Sequence, residues 1–145
     1  MTVRVSIIAL LTTSILALAC FGQNSPNLSG NPTAAAWGAA GTVWGGDHLE
    51  LDVTADGANL DFDCASGTIT QSLAVDAHGV FRARGTLARE RPGPVMRDSP
   101  GPAQATYTGT IQGDTMHLVV SSGSPEPYGE YVLTRGKPGR VVKCK

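Results

Sequence analysis

The sequence predicts an all-β fold, a small antiparallel up-and-down barrel of seven or eight strands, and three observations lead there. From Trp44 onward apolar positions recur with period two, no stretch carries a sustained period of 3.6, and glycine-containing turns separate the runs at hairpin spacing. Hairpin follows hairpin with small residues on the inner face, which favours a meander that closes on itself; a two-sheet β-sandwich is the alternative. Closure removes edge strands, and Gly85 and Gly109 at inward positions suit the bending that a narrow barrel requires.

The chain before the barrel is read as an address and a tether. Residues 1–19 carry one positive charge at Arg4, an uncharged and mostly apolar run from Val5 to Leu18, and the small-residue site Ala17-Leu18-Ala19. This is a signal-peptide pattern, and the run is shorter than the roughly 20 residues that span a bilayer. With Cys20 the same tetrapeptide resembles the lipobox of bacterial lipoproteins, which implies acylation of Cys20 and attachment to the cell envelope. Residues 20–36 are small, polar and free of charge, as a flexible tether would be. The other reading is a periplasmic or secreted protein whose mature chain begins near Cys20. Residues 37–145 are left for a single barrel domain.

The strands follow in order. Leu49, Leu51 and Val53 alternate with polar residues, then Leu60, Phe62 and Cys64 do so after the turn Ala55-Asp56-Gly57. Leu73 and Val75 come next, with a three-residue loop ending at a left-handed Gly79, returning through Phe81, Ala83, Gly85 and Leu87. The third hairpin turns at Gly113-Asp114 and pairs Ile111 with Met116 and Tyr107 with Val120. Glu130 to Arg135 and Val141 to Cys144 supply the last short strands. The stretch Arg91 to Pro102 holds four prolines and two glycines and is a long irregular loop, either a binding lid or a surface excursion.

Composition narrows the function. Of 145 residues 41% are hydrophobic, enough for one core, while 16% are charged and the net charge is −1. That excludes a disordered charged tail and the basic surplus of a nucleic-acid binder. If Cys20 is acylated, the remaining pair Cys64 and Cys144 closes one disulfide in an oxidising compartment. On the chain-entropy model such a bridge contributes roughly 4 kcal/mol. Scattered cysteines and histidines show no zinc spacing, and no nucleophile is placed beside His48, His78 or His117, so no metal, cofactor or catalytic residue is expected.

Charge gathers on the first hairpin. Glu50 and Asp52 face Asp61 and Asp63 across it, and like charges about 5 Å apart repel by roughly 0.8 kcal/mol per pair. A bound cation, a basic protein partner, or Arg82 and Arg84 of a neighbouring strand would offset this. Residues 47–76 hold seven acidic and no basic side chains, and residues 77–145 hold five acidic and ten basic ones, which favours the arginines.

Two resemblances add to this. Trp44 with Arg135 resembles the lipocalin-like (calycin) barrels, implying a tryptophan packed across the closed end beneath an arginine. Phe62-Asp63-Cys64-Ala65-Ser66-Gly67 with Cys144 is similar to lysozyme-inhibiting bacterial lipoproteins, implying a disulfide-closed eight-stranded barrel. The start Trp-Gly-Gly-Asp-His-Leu at 44–49 is similar to that of exported bacterial proteins of no assigned activity. The expectation is a non-catalytic envelope binding module, taking a small apolar ligand beneath the Arg91 to Pro102 loop between Leu51, Phe62, Phe81, Tyr107, Met116 and Leu118. The alternative is a structural or interaction module, such as an inhibitor of an extracellular hydrolase, that meets a basic partner.

Overall fold

A computed structural model describes residues 36–91, 93 and 101–144. The signal peptide, Cys20, nearly all of the tether and most of the proline-rich loop lie outside the described residues. Eight strands run in sequence order: β1 (Val43–Gly46), β2 (Leu49–Val53), β3 (Ala58–Phe62), β4 (Ala65–Ile69), β5 (Val80–Arg89), β6 (Ala103–Gln112), β7 (Thr115–Ser121) and β8 (Gly129–Arg135). Each pairs antiparallel with the next, and β1 closes on β8 through Trp44 opposite Arg135 and Gly45 opposite Thr134. The result is a closed up-and-down barrel, so the sandwich alternative falls.

Alternation sets the inside. Leu49, Leu51 and Val53 on β2 and Ala58, Leu60 and Phe62 on β3 are buried, while Asn59 and Asp61 face solvent. The β2–β3 turn holds four residues, which places Glu50 opposite Asp61 and Asp52 opposite Asn59. The β6–β7 hairpin has the expected register, with Ile111 opposite Met116 and Tyr107 opposite Val120. Gly109 faces Leu118 across that hairpin, where a Cβ would overlap the His117 carbonyl oxygen and lie 2.9 Å from Phe81 Cζ. Only a residue without a side chain allows β7 to approach β6 there.

Two elements differ from the sequence reading. The partner of β5 is β4, not the segment through Leu73 and Val75. β3 ends at Phe62, and Asp63 and Cys64 form a two-residue turn into β4, with Cys64 at φ 53°. The inward positions of β4 are Ala65, Gly67 and Ile69, whose small size hides the alternation. Gly67 is small for a reason: Tyr107 reaches across from β6 to donate its hydroxyl to Thr86 O at 2.6 Å, and a Cβ at Gly67 would strike that hydroxyl. Leu73 and Val75 are buried, but they lie in the connection from β4 to β5. The turn after them forms as expected, with Gly79 at φ 79° and the Asp76 carboxylate accepting from His78 N and Val80 N, each at 2.8 Å.

The second difference is at the C-terminus. Residues 141–144 are not a strand. Arg140 makes an isolated parallel bridge with Asp47, and the chain continues across the turns of β1–β2 and β3–β4 as a strap. It brings Cys144 to Cys64, with Cα atoms 4.8 Å apart at a sequence separation of 80, the pair the cysteine count pointed to.

Candidate functional site

The two barrel ends are built differently. At the end where β1 begins and β8 finishes, residues 36–42 turn over the opening. Gly41 N donates to Val53 O at 2.7 Å, Arg135 Nη2 to Ala36 O at 2.6 Å, and Trp44 Nε1 to Trp37 O at 2.8 Å. These bonds press the Trp37 indole onto Phe81, edge to face, with centroids 4.5 Å apart. The Arg135 guanidinium lies 4.7 Å from the Trp44 ring centroid, within cation–π reach.

Beside Trp37 this cap leaves a pocket of about 220 Å³. Its apolar floor is Trp37, Val53 and Leu73, each buried, and its rim carries Thr54, Ala55 and Ser72. None of its lining residues is charged. Small-molecule sites span about 300–1,000 Å³, so this one is of fragment size. An engineered apolar cavity of about 150 Å³ binds benzene, which puts a substituted single ring within its range.

The opposite end holds the acidic residues, and the strap meets them one by one. Gly139 N donates to Glu50 Oε2 at 2.6 Å, Arg140 pairs with Asp47, and Val142 N donates to Asp63 Oδ1 at 2.6 Å. Lys143 Nζ stands 2.7 Å from Asp61 and 3.4 Å from Glu90, contacts that raise its pKa. Asp52 has no such partner among the described residues; burial, then Glu50 and Asp61, raise its pKa. The sequence reading gave neutralisation to Arg82 and Arg84. Those residues sit on β5 opposite Thr108 and Thr106, with β4 standing between β5 and the acids of β3, so they are not the offset. Among the described residues no group of three or more His, Cys, Asp or Glu side chains is placed to hold a metal ion.

Asp63 is the pivot of this end. The Val142 amide, the His48 ring and Lys143 hold its carboxyl below the usual range, and His48 Nδ1–H donates to Asp63 Oδ2 at 2.6 Å. A carboxylate with a depressed folded-state pKa stabilises the fold above its unfolded pKa of about 3.9, and that contribution is lost as pH falls through the folded value. Melting curves from pH 7 to pH 2 should therefore show Asp63→Asn less stable than the parent at neutral pH, with the two converging below pH 4. Parallel curves over the whole range would overturn this assignment.

All six residues expected to surround a ligand are buried: Leu51, Phe62, Phe81, Tyr107, Met116 and Leu118. They meet inside the barrel, where Phe62 packs against Tyr131 at 5.4 Å and Tyr128 at 5.6 Å. Burial pushes the Tyr131 hydroxyl up to about 12. None of the six lines the pocket beside Trp37, and that pocket opens at the end away from the base of the Arg91 to Pro102 loop. Sequence reasoning missed its residues because they lie on no strand pair. The signal that could have found them is an apolar Trp37 and an apolar Leu73 in segments otherwise rich in small and polar residues. No protein-family model, curated protein or solved structure matches this chain.

Proposed function

We propose that the chain is an exported, non-catalytic binding module of the bacterial cell envelope, attached through an acylated Cys20, whose barrel takes a small apolar ligand in the pocket beside Trp37. The observation that carries this reading is the pocket itself, an uncharged hollow with an apolar floor at the capped end of a closed barrel. The Cys64 and Cys144 pair at disulfide distance supports export, since such bonds persist in oxidising compartments. Arg135 stacked on Trp44 supports the lipocalin-like resemblance. The alternative, an interaction module meeting a basic partner with the acidic hairpin, has less support because the strap already engages Glu50, Asp61 and Asp63.

Ethylbenzene near its solubility limit should raise the melting temperature of the barrel domain, because a ligand that binds only the folded state stabilises it by mass action. Ala55→Trp, at an exposed rim position, should fill the hollow and abolish that rise while altering the free protein by no more than about 0.5 kcal/mol. An equal rise in both proteins would place binding elsewhere, and no rise in either would remove the ligand reading. Mass spectrometry of the mature protein tests the anchor, with an unmodified Cys20 as the outcome that refutes it.

A further inference from the structure

The cap contains two indoles with different fates. Trp44 Nε1 donates to Trp37 O at 2.8 Å, whereas Trp37 Nε1 has no hydrogen-bond partner among the described residues although Trp37 is 1% exposed. Buried indole N–H groups are ordinarily paired, since water has been removed without replacement. The Trp37 ring cannot swing out to find water: Phe81 packs against it, and its backbone is held through Trp44 and Arg135. The unpaired donor thus belongs to a residue that lines the pocket.

We propose that Trp37 Nε1 is the polar contact of this pocket, and that the pocket selects a neutral molecule with a small apolar body and one hydrogen-bond acceptor, such as a carbonyl or ether oxygen. This rests on the binding reading above and narrows it. The apolar floor of Val53 and Leu73 takes the body, and the N–H takes the acceptor. An anionic head group is disfavoured because no lining side chain carries a positive charge, and an ion leaving water for such a site finds no counter-charge. Thr54 and Ser72 on the rim supply hydroxyls but no charge. A site that meets a ligand oxygen with an otherwise unpaired donor discriminates against the analogue lacking that oxygen.

Acetophenone and ethylbenzene differ by one carbonyl oxygen and test this directly. The chain has two tryptophans, so a nitrogen-15 proton correlation spectrum of the barrel domain shows two side-chain indole signals. Acetophenone should move the Trp37 signal downfield with saturation, leave the Trp44 signal in place, and bind about tenfold tighter than ethylbenzene. Trp37→Phe should erase the preference and keep ethylbenzene binding. Should that variant not fold, the wild-type spectrum still decides. If both probes shift the methyl signals of Val53 and Leu73 with equal affinity and the indole stays still, the donor assignment is overturned and the binding reading stands. The same holds if the Trp37 proton is already upfield, engaged with the Phe81 ring, and does not move. If neither probe perturbs these methyls, the binding reading itself fails. Benzoate matching acetophenone would overturn the selection for a neutral ligand.

Discussion

Replacing Cys64 and Cys144 together by serine will lower the melting temperature by roughly 16 °C. The pair bridges a sequence separation of 80, and closing a loop of that size is worth about 4 kcal/mol on the chain-entropy model, at about 4 °C per kcal/mol for a domain near 100 residues. Most of the effect belongs to the unfolded chain, because the strap's other links are weak one at a time. The ion pairs of Lys143 and Arg140 are solvent-exposed, and exposed pairs contribute at most about 1 kcal/mol each. Calorimetry of the oxidised, dithiothreitol-reduced and double-serine proteins checks this. Reduction should bring the wild type to the double-serine value and leave the variant unmoved. A drop below about 4 °C would show that the strap gains little from being covalently closed.

Gly109→Ala should cost about 3 kcal/mol or more. The added methyl would overlap the His117 carbonyl oxygen, which belongs to the β6–β7 ladder, and press on Phe81 Cζ at 2.9 Å. Phe81 has no free space on its other side, since Trp37 stacks there at 4.5 Å. Relief requires β7 to move away or the cap to lift, and overpacking of a filled interior costs about 1–3 kcal/mol even where side chains alone can yield. Gly113→Asn is the control. Gly113 sits in the β6–β7 turn at φ 59°, where a Cβ meets nothing within 4 Å, and asparagine tolerates the left-handed region. That change should cost less than about 1 kcal/mol in the same denaturant titration. Similar losses at the two positions would show that backbone conformation, not crowding, governs Gly109.

The contrast between these glycines shows what the sequence could and could not say. The β6–β7 register was legible because a strong two-residue turn is flanked by alternation on both sides, so one register satisfies both. β4 was not, because Ala65 and Gly67 give no hydrophobic beat while Leu73 and Val75 imitate one a few residues later. That omission propagated. Without β4, β5 becomes the neighbour of β3 and its arginines fall beside the acids. With β4 in place they lie a strand away, and the basic groups come from the strap. The charge sum correctly foresaw compensation within the chain, and only the tertiary path of residues 139–143 could name the agents. The pocket was illegible for the same reason, being formed where the residues before β1 meet the β2–β3 turn and the β4–β5 connection.

The pairing of Cys64 with Cys144 also alters the connectivity of the molecule. Once bonded, residues 64–144 form a covalent ring that carries β4 to β8, while β1 to β3 hang from it as an open arm. A single backbone cut within the ring, at the exposed Arg91 for example, leaves both pieces joined. A cut in the arm, at the exposed turn residue Asp56, frees everything before it from covalent attachment to the rest. The barrel has one seamless circle of hydrogen bonds and, laid over it, two unequal stretches of chain that differ in what a protease can take away.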